Sequence, residues 1–205
     1  MIPRRMTRGA CIAASLAVIA STANAATEDG QFAVRGLGSL TCAALVDAAT
    51  SEADGSQSIT LLANWIAGYL SHVNRSTETM FDAVPVQDNR ALAGIVTRIC
   101  AENPDQMTEA VVATVVSAFG DVSVGVASDA VEIRAEDRAV LVRQPVLVAV
   151  QQRLAELGHL PSDAVADGVF GPQTQRGLEQ FQSQRGLTVN GLPDAATLFS
   201  LFATS

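Results

Sequence analysis

The stretch Asp167-Gly168-Val169-Phe170-Gly171-Pro172-Gln173-Thr174 leaves this chain few ways to fold. Asp-Gly is a turn signal, because Gly tolerates the positive φ that a tight turn needs. Gly171 permits a second sharp change of direction. Pro172 suits the first turn of a helix, where a missing N–H costs nothing. Behind it, Leu178 and Phe181 recur at helical spacing and mark a buried face. Further punctuation follows at Gly186-Leu187 and Asn190-Gly191. Asp194 is placed to cap a closing helix that carries Leu198, Leu201 and Phe202. Upstream, Val148, Val150, Gln151, Leu154 and Leu157 form a partner helix stopped by Gly158. The order is helix, Gly-rich loop, helix, loop, helix, over residues 144–205.

So small a module needs its large apolar groups inside, which assigns Leu154, Phe170, Leu178, Phe181 and Leu198 to a core. The groups left to meet a ligand are polar: Asp167, Gln173, Thr174, Gln182 and Asn190, with His159 nearby. For Asp167 and Thr174 the competing role is to cap and brace the turn. Val150-Gln151 with Leu154, Leu157-Gly158, the Asp-Gly-x-Phe-Gly-Pro-x-Thr turn, Phe181-Gln182, Gly186-Leu187, Gly191 and Thr197-Leu198 together resemble the type-1 peptidoglycan-binding domain. That resemblance covers about residues 144–203. It implies a three-helix module that binds peptidoglycan without cutting it. Free N–H groups at a helix N-terminus would receive a carbonyl or an anion there, and a stem-peptide carboxylate fits that requirement.

The other end of the chain reads as an export signal. Arg4, Arg5 and Arg8 form a positive segment, residues 10–20 are apolar, and Ala23-Asn24-Ala25 is a small-x-small cleavage site. Cleavage after Ala25 would place the mature protein in the periplasm. The apolar run is too short to span a bilayer comfortably. Arg4-Arg5 raises a twin-Arg route, whose flanking residues fit poorly. Cys11 is lost with this segment, leaving Cys42 and Cys100. An even pair in an oxidising compartment argues for one disulfide. Zinc is the alternative, but there is no Cys-x-x-Cys and no His at ligand spacing.

Residues 26–36 are polar and Gly-bearing, a loose N-terminus. Four amphipathic helices are expected after them. Ser39 or Thr41 caps the first, through Leu45 and Val46. Residues 50–58 are a loop by composition. The second helix carries Leu62, Ile66, Tyr69, Leu70 and Val73 on one face, with Trp65 beside it. Asp88 caps the third, whose stripe is Leu92, Ile95, Val96 and Ile99. Asn103-Pro104 starts the fourth, with Met107, Val111, Val112, Val115 and Phe119. Leu40-Thr41-Cys42, residues 65–69 and Ile95-Val96 through Cys100 resemble the HdeA-type periplasmic acid-stress chaperone superfamily over about residues 37–119. Proteins of that fold serve as chaperones, stabilisers or inhibitors, so periplasmic client proteins become candidate partners.

Between the two parts, Val122, Val124 and Val126 alternate, as do Val131 and Ile133, then Val140 and Val142. Residues 121–143 read as an extended linker with a short β-pair. The expected class is therefore all-α: a four-helix disulfide-tied domain at 37–120 and a three-helix module at 144–205.

Charge narrows the partners. The formal net charge is −8, and −8 − 3 = −11 without Arg4, Arg5 and Arg8. There is no Lys. This disfavours nucleic acid and anionic membrane surfaces. No Gly-x-Ser-x-Gly, His-Glu-x-x-His or Ser-x-x-Lys pattern occurs, His72 is isolated, and no cofactor motif appears. The expectation is a noncatalytic protein with no cofactor or metal. The alternatives are a wall-associated acid-stress chaperone and an envelope interaction or inhibitor protein.

Overall fold

The computed structural model describes Thr27 and residues 31–203. The expected export segment and cleavage site lie outside the described residues. Met1–Ala33 group as one unit, in which the Gln31 N–H donates to the Thr27 hydroxyl at 3.0 Å. Val34–Ser205 group as the other.

Four helices open the second unit: α1 (Cys42–Thr50), α2 (Gly55–Ser76), α3 (Asn89–Glu102) and α4 (Thr108–Ala118). Two expected caps are in place. The Thr41 hydroxyl accepts from the Ala44 N–H at 3.3 Å, and Oδ1 of Asp88 accepts from the N–H groups of Arg90 and Ala91 at 2.8 and 3.2 Å. Leu45, Leu62, Ile66, Leu92, Val96, Val111, Val112 and Phe119 fill the shared interior. A Cys42–Cys100 disulfide closes α1 onto α3 across a sequence separation of 58. By loop-closure entropy such a bond stabilises the fold by about 4 kcal/mol. Trp65 is an anchor: its indole N–H donates to the Arg35 carbonyl at 2.7 Å. Gly38 lies flat on the ring, where a Cβ would come within 2.1 Å of Cζ2.

Three expectations change here. The loop at 50–58 is shorter, because α2 begins at Gly55. Its Cα sits so close to the Ala49 carbonyl that a Cβ would lie 2.5 Å from that oxygen. Asn103-Pro104 does not start α4. Asn103 closes α3, with its amide donating to the Ile99 carbonyl. The segment after it instead pairs with the start of α1: the Ala43 and Cys42 N–H groups donate to the Pro104 and Gln106 carbonyls, and Thr108 N–H to that of Leu40. That pairing delays the helix to Thr108. It also leaves Met107, expected in the stripe, 46% exposed.

Residues 121–143 fold against the bundle. A single 3-10 turn spans Gly120–Val122, and Val124 pairs with Asp82 through two backbone bonds of 2.8 and 2.9 Å. The β-pair forms: β1 (Ala130–Ala135) lies antiparallel to β2 (Arg138–Arg143), with Val131 opposite Val142 and Ile133 opposite Val140. The class is thus mostly helical with one hairpin. Arg143 ends β2 and packs back on the bundle. Its Nε donates to Asp82 Oδ2 at 3.0 Å, its guanidinium also bonds the Ser128 carbonyl, and it stacks on Phe81 at 4.9 Å.

The module follows without a gap as α5 (Gln144–Glu156), α6 (Pro172–Gln184) and α7 (Ala195–Phe202). Pro172 is at the first turn of α6, and Asp194 caps α7 by accepting from the Thr197 N–H at 2.9 Å. Val150, Leu154, Leu178, Phe181, Leu198 and Leu201 are buried. Helix α7 also touches α3, and Phe199 meets Phe119 edge-on at 5.9 Å.

Candidate functional site

The module's two turns are each held by a buried glutamine. Gln151, on α5, is 5% exposed. Its Oε1 accepts from the Gly168 N–H at 2.8 Å. Its Nε2 lies 3.1 Å from Asp167 Oδ1, 3.1 Å from the Val169 carbonyl and 3.2 Å from Thr174 Oγ1. Gln182, on α6, repeats the device at full burial. Its Oε1 accepts from the Asn190 and Gly191 N–H groups, and its Nε2 lies 2.9 Å from Asn190 Oδ1, the Leu192 carbonyl and Thr197 Oγ1. Both turns require glycine, with φ 71° at Gly168 and 67° at Gly191. A buried amide is tolerated only when satisfied, and both are.

The helices that leave these turns start differently. Oδ1 of Asp194 caps α7, and Oδ2 accepts from the Asn190 amide at 2.7 Å. At α6 the capping position is Gly171, which has no side chain to offer. The first-turn N–H groups of α6 have no partners within the helix. They open on a groove of about 190 Å³ lined by Leu160, Val165, Asp167, Pro172, Gln173 and Thr174, among others. Val165 and Val169, 80% and 60% exposed, add an apolar margin.

Asp167 is ionised at neutral pH. The Val169 N–H, then the Gln151 amide, hold its carboxyl below the ordinary value. His159 is also shifted down: burial, then nearby Arg185, lowers its pKa, and its ring stands edge-on to Phe181 at 5.7 Å.

The structure therefore brings Asp167, Gln173 and Thr174 to one groove. Asp167 and Gln173 face solvent, whereas Thr174 is 4% exposed and braces Gln151 from the groove's wall. Gln182 is a correction: it is 0% exposed, with both ends of its amide committed internally, and it has no surface for a ligand. Asn190 belongs to that same second turn, bonded to Gln182, Leu192 and Asp194. His159 packs on the core and does not line the groove. Sequence reasoning missed the bracing role of Gln151. The available signal was repetition: Gln, then Asx-Gly, then Thr six residues after each Gly, at 168 to 174 and 191 to 197.

Among the described residues, no group of three His, Cys, Asp or Glu side chains is placed to hold a metal ion, and no helix is long and apolar enough to cross a membrane.

Residues 143–201 match the family model described as a putative peptidoglycan binding domain, under a third of the chain. The match coincides with the hairpin's last residue and the three helices of the braced module, and it supports peptidoglycan binding there. No curated protein and no solved structure matches the chain. The likeness of residues 37–119 to the HdeA-type superfamily gains no support from these comparisons.

Proposed function

We propose that this is a noncatalytic envelope protein that holds peptidoglycan in the groove at the start of α6, after export and cleavage at Ala25. The observation that carries this reading is the uncapped N-terminus of α6, opening on a groove within the matched residues. The ligand's chemistry follows from the two groups that meet there. Helix N–H groups favour a carbonyl or anion. Ionised Asp167 repels a bare carboxylate and accepts from N–H or O–H. An amide satisfies both, so a stem-peptide bond or a sugar acetamido group fits better than the free carboxylate that the helix end alone suggests. A small module with a shallow groove binds modestly, and crosslinked wall compensates by presenting many sites.

Cosedimentation with purified sacculi tests this. The full chain should pellet, and Asp167→Asn, which keeps an acceptor for Val169 but loses the charge, should bind about tenfold more weakly while staying folded. A folded full chain that remains in the supernatant with sacculi from several bacteria overturns the assignment. The disulfide-tied bundle favours a second reading, a wall-held chaperone or inhibitor for periplasmic proteins. Suppression of client aggregation at low pH supports the chaperone form; its absence removes it.

A further inference from the structure

The bundle carries a second recess, lined by none of the residues that line the α6 groove. It holds about 200 Å³ beneath the loop that joins α2 to α3, and its lining includes Ser71, Asn74, Asp82, Val86, Gln87 and Asn89. Internal bonds decide what each amide has left to offer. Oδ1 of Asn74 accepts from the Ala83 N–H at 2.8 Å, so its amino group is the free end. Nε2 of Gln87 donates to Asp82 Oδ2 at 3.0 Å, so its carbonyl is the free end. Neither free end, nor Oδ1 of Asp82, has a partner among the described residues. These three side chains thus present one amide donor and two acceptors, and Asn89 adds a further amide to the lining. Arg143 offsets the charge of Asp82 from behind, in a pair whose side chains are 16% and 12% exposed. Val86 supplies an apolar wall.

We propose that this recess binds a single uncharged sugar ring through its hydroxyl or acetamido groups. Mixed donors and acceptors in fixed orientation match a polyhydroxyl or amide ligand, and the paired charges give no advantage to an ion. The volume is below that of pockets for drug-sized ligands, about 300–1,000 Å³, and suits one ring. Affinity for a ring of this size is on the order of millimolar. The site goes beyond the α6 groove and does not depend on it.

The test is an NMR titration of the full chain with glucose and with N-acetylglucosamine, reading the side-chain amides of Asn74 and Gln87. Saturable shifts with either sugar are expected. A stronger response to N-acetylglucosamine assigns acetamido recognition, and an equal one assigns the hydroxyls. Asn74→Asp keeps the Ala83 bond but turns the donor into an acceptor, and Gln87→Met removes the acceptor at similar size. Each should weaken binding about tenfold with the fold retained. Three results would each overturn the proposal: no saturable shift in the unsubstituted chain, unchanged affinity in both folded variants, or glucuronate binding as tightly as glucose.

Discussion

The two glutamine-braced turns of the module share one framework and differ at their exits. In each, a buried amide clamps an Asx-Gly turn and a Thr at the next helix. After Asn190-Gly191, the Asp194 carboxylate closes the helix start from both sides. After Asp167-Gly168, the corresponding position is Gly171, and the helix start stays open beside an ionised carboxylate. The lesson is that the brace maintains the fold, whereas the exit residue decides whether a turn can also receive a ligand.

The largest effect should come from the braces. Gln182→Ala strands several groups with no access to water and should cost about 3–5 kcal/mol in chemical denaturation. Gln151→Ala should cost less, about 2–3 kcal/mol, because solvent in the groove can reach Asp167 and Val169. Equal losses would mean that the groove does not admit water.

The glycines come next. A Cβ at Gly168 would meet the Gln144 backbone carbonyl at 3.0 Å as well as its Cγ at 2.6 Å. A Cβ at Gly191 would meet the side chains of Gln175 and Glu179. Those can swing aside and a backbone cannot. Gly168→Ala should therefore cost about 2 kcal/mol and Gly191→Ala about 1 kcal/mol, the second being mainly the positive φ. Thermal unfolding in the reverse order would break the contrast.

Exchanging the exits is the sharper and gentler test. Gly171→Asp should stabilise α6 by about 0.3 kcal/mol and yet reduce sacculus binding, since the new carboxylate fills the ligand's place. Asp194→Ala should cost about 1 kcal/mol and leave binding intact. If Gly171→Asp binds sacculi as well as the natural chain, the open exit is not the binding feature.

Acid should separate the turns by the smallest margin. The folded pKa of Asp167 lies below its unfolded value. Its contribution is therefore complete above the unfolded pKa, near 4, and fades as pH falls through the folded one. Asn190 does not titrate. Amide exchange should show Gly168 and Val169 losing protection below about pH 4 while Gly191 and Leu192 keep theirs. Asp167→Asn should abolish the difference.

Most helix positions were legible because capping chemistry is local. Thr41, Asp88, Pro172 and Asp194 act where their side chains alone would place them. Pro104 misled because a backbone ladder to residues 40–43, distant in sequence, outweighed its local preference. Alternation at 131–142 was correctly strand-like, but of Val122, Val124 and Val126 only Val124 forms a β-bridge, to Asp82, while Val122 closes a 3-10 turn on Phe119. The groove was legible at Asp167 and Gln173. Gln182 was misread: four residues after Leu178 it shares that residue's inward face, but its amide chemistry suggested a ligand contact. The tertiary bonds to the second turn show where that amide is committed.

Arg143 has a mechanical consequence. It is at once the last residue of the hairpin and the residue before α5, and it is bolted to Asp82 and Phe81 of the bundle. A flexible tether would let an anchored bundle swing through a volume set by linker length. Here there is no slack to take up. A module gripping a strand of wall would fix the heading of the bundle as well as its address, and tension on that strand would be felt first at the Asp82–Arg143 pair.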